Sequence, residues 1–230
     1  MTAHEIFSYF QDMILDFFYP PHCPVCDKYI ENRADILCQE CERNILFIER
    51  SPEVKAPLKE VWRISKYRDY TKNIITDLKF NNKLNQLPVI NKILDKALVS
   101  EIKLENFINK IDISTAVPLH RDREEERGFN QVELIFGEWL EKQNIPMERL
   151  VLRTRSTAHL YDLNPKQRKK ELDGAFALAE GLEEKIKGKK ILILDDIFTT
   201  GTTMSECAKI LKNNGAFEIY GLALASDFKD

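Results

Sequence analysis

The sequence predicts an α/β protein in which a mostly parallel sheet is flanked by helices, with a small zinc-ribbon-like module at its N-terminus. Three observations lead to this fold class. From Val61 onward, apolar runs of strand length alternate with segments of helical periodicity, as in a parallel sheet covered by helices. One apolar run leads into two aspartates and a Thr/Gly turn, at the strand end where open α/β sheets place ligands. Ahead of both, four of the five cysteines form two Cys-x-x-Cys pairs.

The first predicted element is a helix over residues 3–18, because its apolar residues recur at helical spacing until Tyr19-Pro20-Pro21 ends it. Acidic residues along this helix make it a poor membrane anchor. We therefore expect it to dock on the protein itself or on a partner.

The cysteine pairs predict a structural zinc site. Cys23 and Cys26 are separated by eleven residues from Cys38 and Cys41, and two short loops of this kind can present four thiolates to one tetrahedral ion. A redox dithiol pair and unliganded cysteines are the alternatives. Four thiolates leave no open position on the ion, so the zinc would be structural.

Residues 49–60 contain two prolines among mixed charges, which favours a linker. We expect residues 1–55 to hold the N-terminal helix and the zinc-binding module, and residues 56–230 to form the α/β domain. The predicted strands of this domain are Val61–Tyr67, Ile111–Val117, Val151–Leu152, Ile191–Leu194 and Phe217–Ala225. The predicted helices are Asn73–Phe80, Pro88–Ser100, Asn130–Gln143 and Thr202–Asn213.

The most informative stretch follows the strand Ile191–Leu194. Asp195 and Asp196 come first, and the next helix is opened by Thr199, Thr200, Gly201, Thr202 and Thr203. Adjacent carboxylates can accept hydrogen bonds from a vicinal diol, and hydroxyls with free backbone N–H groups at a helix N-terminus suit a phosphate. A ribose 5-phosphate offers both groups. The alternative is a pair of solvated acids before an ordinary helix start. Against it, two unpaired carboxylates beside a buried strand lower the stability of the fold unless a ligand compensates their charge.

A second strand end carries cations. His120, Arg121 and Arg123 follow Val117-Pro118-Leu119, and Arg127 begins the run Arg-Gly-Phe-Asn-Gln that opens the next helix. Arginines and turn residues suit a pyrophosphate. A solvated loop is the alternative, since three glutamates partly cancel the charge. His120 is either a general acid–base or a polar filler of this loop.

Residues 149–170 hold seven basic residues against one acidic residue, and Arg153, Arg155 and Arg168 are among them. A solvated loop, a lid over a polyphosphate and a surface for single-stranded DNA are the possible roles. We favour the lid because the segment has little aromatic surface on which bases could stack.

Composition places limits on the function. With 43% hydrophobic and 31% charged residues the chain is typical of soluble globular proteins, and its net charge of −3 excludes a molecule that binds nucleic acid through overall charge. The sequence shows no signal-peptide pattern and no apolar run of transmembrane length. We therefore expect a cytoplasmic protein without membrane insertion.

The stretch from Ile191 to Thr203 resembles the phosphoribosyl pyrophosphate (PRPP) motif of the type I phosphoribosyltransferases. This resemblance implies that Asp195 and Asp196 hold the ribose 2′ and 3′ hydroxyls. It also implies that the turn from Thr199 to Thr203 holds the 5′-phosphate of PRPP.

The order of motifs narrows the resemblance. A four-cysteine module, a Val-Pro-Leu strand end, Arg-Gly-Phe-Asn-Gln and the PRPP motif make the chain similar to the ComF/ComFC competence family from Tyr19 to about Ala225. The resemblance implies a type I phosphoribosyltransferase-like fold and a role in the uptake of transforming DNA. The chain departs from the family at Leu160 and Glu171, where the family usually has Gln and Asn, whereas Arg168 fits the pattern.

Two functions follow as hypotheses. The first is a PRPP-binding protein that acts in DNA uptake, with single-stranded DNA and a helicase-like competence protein as possible partners. The alternative is an active transferase of nucleotide metabolism that uses PRPP with Mg2+ and an unidentified acceptor. Mg2+ would be held mainly by the pyrophosphate and the ribose, because it keeps several waters and needs few protein ligands. The sequence assigns no catalytic residue, no acceptor and no oligomeric state.

Overall fold

The computed structural model describes residues 18–32, 35–81, 83–155 and 165–227, and within 165–170 it describes the side chains of Gln167 and Lys170 only. The chain divides into two compact units, residues 1–45 and residues 46–230. The predicted helix over residues 3–18 lies outside the described residues except for Phe18. No helix in the described ranges is long and apolar enough to cross a membrane.

The described part of the N-terminal unit is built from a tight turn and one helix. The turn begins at Cys23, whose N–H and C=O bond to Lys28 and Asp27, each at 2.8 Å. An antiparallel bridge between His22 and Tyr29 closes it. The helix α1, Gln39–Ile45, begins directly after Cys38 and contains Cys41.

The second unit contains a five-stranded sheet in the order β1-β2-β7-β6-β3. Four strands are parallel and β1 pairs antiparallel with β2 at one edge. A separate two-stranded sheet pairs β4 with β5. The strands are β1 Leu46–Arg50, β2 Leu58–Lys66, β3 Ile113–Ala116, β4 Val151–Arg153, β5 Phe176–Leu178, β6 Lys190–Phe198 and β7 Glu218–Ser226.

Helices cover both faces of the large sheet. They are α2 Asp69–Phe80, α3 Leu87–Ser100, α4 Ile102–Ile108, α5 Arg121–Arg127, α6 Gln131–Lys142, α7 Pro165–Leu172, α8 Glu183–Ile186 and α9 Thr202–Asn213, with a short 3-10 turn at Leu84–Gln86. Side chains alternate along β6, so Ile191 and Ile193 join the apolar cluster that includes α9, and the buried Leu192 and Leu194 face the other way. The predicted mostly parallel α/β fold is confirmed.

The predicted linker over residues 49–60 is wrong. Those residues contain the end of β1 and the start of β2, and between the two lies a segment, residues 51–57, that we call the strap. β1 has only five residues, too few for alternation to stand out from the charged residues around it. The short helices α4, α5 and α8 were missed for the same reason, because four to seven residues give little helical periodicity.

The strand with the aspartate pair is longer than predicted. β6 continues to Phe198, whereas the ladder with β3 ends at Leu194. Asp195 and Asp196 therefore lie inside β6 but beyond the last residue paired with β3. Both acids therefore lie at the carboxyl edge of the sheet. Beside them β6 pairs with β7 on one side and, within the described residues, has no paired strand on the other.

Candidate functional site

The four cysteines form one cluster in the N-terminal unit. The Sγ atoms of Cys23, Cys26, Cys38 and Cys41 all lie within 4.8 Å of one another, and those of Cys26 and Cys38 are 3.6 Å apart. Four thiolates about 2.3 Å from a tetrahedral Zn2+ would lie roughly 3.8 Å apart, so the spacing fits this ion. All four cysteines are free thiols, without a disulfide. The module is therefore a structural zinc site.

Local backbone geometry prepares these thiols for a cation. Burial opposes ionisation of Cys23, but N–H groups of Cys38, Val25 and Cys26 outweigh it and lower the pKa of the Cys23 thiol to about 7. Burial and the neighbouring thiols raise the pKa of Cys41. Four thiolates cannot ionise together at this distance without a cation, so metal binding would release protons.

Asp196 is buried, and two side chains from distant helices hold it. Lys79 Nζ, at the end of α2, lies 2.9 Å from Oδ1 and 2.8 Å from Oδ2, and Gln131 Nε2 of α6 donates to Oδ2 at 2.7 Å. An ionised carboxylate offers about four acceptor positions. A ribose hydroxyl at Asp196 must therefore share the carboxylate with Lys79 or displace it.

Asp195 faces the opposite side of β6, because successive strand residues alternate. Its Oδ1 accepts the N–H of Asp196 at 2.9 Å. Burial, with the charge of Asp196 in second place, raises the pKa of Asp195 to about 8. The two acids thus differ: Asp196 has a cationic partner, whereas burial favours the protonated form of Asp195.

The Thr/Gly turn has the shape of an anion site. Gly201 is the cap residue just before α9, has a left-handed φ of 65° and provides no capping side chain, so the first amides of the helix keep their donors for another group. The hydroxyls of Thr200 and Thr202 are 2.8 Å apart. A Cβ on residue 201 would lie 2.7 Å from the ring of Phe198. Glycine is therefore required both by its backbone angle and by its contact with Phe198.

A cavity of about 430 Å³ opens beside this turn, and sequence reasoning missed its far wall. One side is Phe198, Thr199, Thr200 and Gly201, and the other is the strap with Leu58 and Arg63 of β2. Lys55 of the strap donates from Nζ to Thr202 Oγ1 at 3.1 Å. The strap gave no signal in the sequence beyond one lysine between two prolines.

His120 and the motif after it have mainly structural contacts. His120 caps α5, since its Nδ1 accepts the N–H of Asp122 at 3.3 Å. Gly128 ends α5 with a left-handed φ of 83°. The buried Asn130 caps α6 through the N–H of Val132 and donates to the carbonyl of Val117, each at 3.0 Å. Asn130 thereby ties α6 to the end of β3.

The arginines predicted for the pyrophosphate side form two groups. Arg121 is exposed, pairs with Glu125 at 2.6 Å, and lines a cavity of about 310 Å³ together with Arg153 and Arg149. Arg127 hydrogen bonds to Gln131 and so extends the Asp196 cluster. Burial lowers the pKa of Arg127, with Asp196 opposing and Arg123 adding to the shift. Arg123 therefore lies within electrostatic range of Arg127.

The candidate lid is only partly described. Burial lowers the pKa of Arg153, and the charge of Arg123 adds to this shift. Arg153 therefore lies within electrostatic range of Arg123. Arg155 Nη2 donates to the carbonyls of Glu171 and Asp173 at 2.8 and 3.2 Å, which anchors it to the end of α7. Arg168 lies in α7, but its side chain and the whole of Leu160 lie outside the described residues.

Comparisons with known proteins agree with this architecture. The double zinc ribbon domain matches residues 14–52, and the phosphoribosyl transferase domain matches residues 150–226. The DNA utilization protein YhgH of Escherichia coli K12 is 30% identical over 84% of this chain and 85% of its own length. Competence protein ComFC of Bacillus subtilis is 25% identical over 84% of this chain and 72% of its own length. Competence protein F of Haemophilus influenzae is 35% identical over 47% of this chain and 48% of its own length.

This chain thus combines a zinc ribbon with a phosphoribosyl transferase domain, and its relatives are named for competence and DNA utilization. The chain belongs to the ComF/ComFC family of competence and DNA utilization proteins.

Proposed function

We propose that this protein binds PRPP together with Mg2+ at the carboxyl edge of its large sheet, and that this binding serves the uptake or use of DNA. One observation carries the proposal. The aspartate pair lies between a phosphate-type turn on one side and a cluster of cations on the other, all at the same end of the sheet. PRPP has the matching order of groups, since its ribose diol lies between a 5′-phosphate and a 1′-pyrophosphate.

The turn supports the 5′-phosphate assignment. Its amides have no capping side chain at Gly201, and the paired hydroxyls of Thr200 and Thr202 add donors that a phosphate can use. Thr199 and Thr203 stand on either side of these residues. Charge-assisted hydrogen bonds of this kind contribute about 1.5–3 kcal/mol each.

The aspartates would divide the ribose diol between them. Asp196 is held in place by Lys79 and Gln131, so it would bind one ribose hydroxyl by sharing its carboxylate with Lys79. Asp195 is the more adaptable acid, since its high pKa falls when a cation or a donor approaches. Mg2+ carried by the pyrophosphate and ribose oxygens would favour the ionised form of Asp195.

The cations support the pyrophosphate assignment. Arg127 lies within electrostatic range of Asp196, and Arg123 lies within range of both Arg127 and Arg153. A pyrophosphate placed among them would relieve their mutual repulsion. His120 caps the start of α5 through a hydrogen bond. It would therefore assist pyrophosphate binding by fixing the position of this helix.

The link to DNA comes from the relatives, which are named for competence and DNA utilization. We infer a soluble role close to incoming DNA, with single-stranded DNA or a helicase-like protein as partner. Transfer of the ribose phosphate to an acceptor remains the alternative function, and it would use the same residues to hold PRPP.

Isothermal titration calorimetry with PRPP, with and without Mg2+, tests the proposal. We expect saturable binding that Mg2+ strengthens, and a ten- to hundredfold weaker affinity, corresponding to about 1.5–3 kcal/mol, for the double variant Asp195→Asn/Asp196→Asn. Asp112→Asn is the matched control, because this aspartate accepts the N–H of Lys190 at the opposite end of β6. Equal affinity of the double variant and the parent would remove the ribose assignment.

The same variants separate the two functions. Pyrophosphate release from PRPP across a panel of acceptors identifies an enzyme, and loss of transformation in cells that carry only the double variant identifies a role in DNA uptake. Normal transformation by a folded, PRPP-blind variant would exclude the role of the ligand in uptake.

A further inference from the structure

A lysine far from the PRPP motif in sequence reaches the phosphate turn. We propose that Lys55 is a ligand of the 5′-phosphate and that the strap, residues 51–57, forms the outer wall of the phosphate site. The inference rests on the proposed function, which it deepens by adding one cation to the same site.

The first support is the position of the ammonium group. Lys55 Nζ lies 3.1 Å from Thr202 Oγ1, which in turn lies 2.8 Å from Thr200 Oγ1. Both hydroxyls belong to the turn that would hold the phosphate. An anion that bonds to these hydroxyls and to the first amides of α9 would lie within reach of the ammonium group.

The second support is the fixed backbone of the strap. Ser51 donates its N–H to Val61 at 2.8 Å, and Leu58 donates its N–H to the carbonyl of Lys55 at 3.1 Å. Ser205 of α9 donates its hydroxyl to the carbonyl of Ala56 at 3.3 Å. Val54 packs against the apolar cluster that includes α9. Lys55 is therefore held facing the turn before any ligand arrives, which lowers the entropy lost on binding.

The third support is the charge balance of the cavity. Arg63 also lines the cavity, but its Nη2 pairs with Glu49 at 2.5 Å. Lys79 at the aspartates is likewise committed to Asp196. Within the part of the chain that the structure describes, the recorded polar partner of Lys55 is the neutral Thr202 hydroxyl. Lys55 is thus the cation at this turn that is not committed to a carboxylate.

These groups define the class of ligand. A cation, two hydroxyls and a helix N-terminus together favour a doubly charged terminal phosphate over a neutral sugar or a single carboxylate. Glu53 also lines the cavity and is exposed, and its charge works against an anion. The balance predicts that the site selects phosphorylated over unphosphorylated ribose.

The test uses the full-length, zinc-loaded protein and two probes, ribose 5-phosphate and inorganic pyrophosphate. Lys55→Met should weaken binding of ribose 5-phosphate by about ten- to a hundredfold and leave the affinity for pyrophosphate unchanged. Lys55→Arg should retain most of the affinity, because it keeps the charge. Circular dichroism and thermal unfolding of each variant check that it is folded.

Two matched variants control for charge and position. Lys59 lies on β2 and pairs with Glu218 of β7. Lys59→Met should therefore leave ribose 5-phosphate binding unchanged. Glu53→Gln should leave that affinity unchanged or strengthen it. Equal affinity of folded Lys55→Met and the parent for ribose 5-phosphate would overturn this inference while leaving the proposed function standing. A parent protein that binds neither PRPP nor ribose 5-phosphate would overturn both.

Discussion

The zinc module and the proposed ligand site at the carboxyl edge of the sheet are built on opposite plans. The four thiolates come from two short segments of the same unit, and they leave no position open on the ion. The carboxyl edge draws its groups from the strap, α2, α6 and β6, and its donors at α9 face a cavity. A closed, local site stabilises its unit, whereas an open site assembled from distant elements is suited to a ligand that comes and goes.

The largest expected effect concerns the closed site. Cys38→Ser should abolish zinc binding and unfold the described part of the N-terminal unit, because structural zinc contributes on the order of 10 kcal/mol to folding such modules. The second unit has its own core and should stay folded. Elemental analysis and hydrogen exchange of residues 20–45 and 46–227 measure both outcomes.

A parent protein purified without chelator and free of zinc would contradict the metal assignment. Uniform loss of protection over both units in Cys38→Ser would contradict their independence.

The next effect concerns the clamp on Asp196. Lys79→Met leaves a buried carboxylate without its cation and should lower the free energy of unfolding by about 3–5 kcal/mol. Adding Asp196→Asn to the same chain should recover most of the loss, because the uncompensated charge is then gone. Urea unfolding gives the values.

Lys83→Met is the matched control for this clamp. Lys83 pairs with Asp77 at 3.2 Å nearer the surface, so its loss should cost less than about 1 kcal/mol. If Lys79→Met lowers the free energy of unfolding no more than Lys83→Met does, the Lys79–Asp196 pair does not stabilise the fold as a buried ion pair.

A smaller effect is expected from Asp195. Its folded pKa of about 8 lies above the ordinary value of 3.8, so the folded state holds a proton that the unfolded state releases. The stability associated with this group is present at low pH and is lost as pH rises from about 4 to 8. Asp195→Asn should be more stable than the parent at pH 8, and this advantage should shrink by at least about 1 kcal/mol when the pH is lowered to 5.

Thermal unfolding of the two proteins between pH 5 and pH 8 measures this difference. A difference in stability that stays constant with pH would show that the pKa of Asp195 is not raised.

The contrast between the two sites also explains what the sequence could predict. The cysteine ligands and the Asp195–Thr203 stretch are contiguous or nearly so, and their residue types and order were enough to propose them as ligand-binding groups. Lys79, Gln131 and Lys55 contact the same stretch from 117, 65 and 147 residues away in the chain. No local pattern reveals such partners, because tertiary packing alone brings them together.

Gly201 shows a smaller limit of sequence reasoning. Gly201 has a left-handed φ of 65°, a conformation that favours glycine. The contact with Phe198 adds a steric reason for glycine. A side chain at residue 201 would disturb the packing of Phe198 and would also hinder the approach of a ligand. Substitution of Gly201 therefore cannot separate loss of PRPP binding from loss of stability.

The most direct test of the central claim, that PRPP engages the aspartate pair, is the number of protons exchanged on binding. Calorimetric titration with PRPP and Mg2+ at pH 7, in two buffers of different ionisation enthalpy, gives this number. The account predicts that the parent releases roughly one proton more than Asp195→Asn, because the ligand converts Asp195 to its ionised form. Equal proton release by the parent and Asp195→Asn, both measured at saturation, would contradict it.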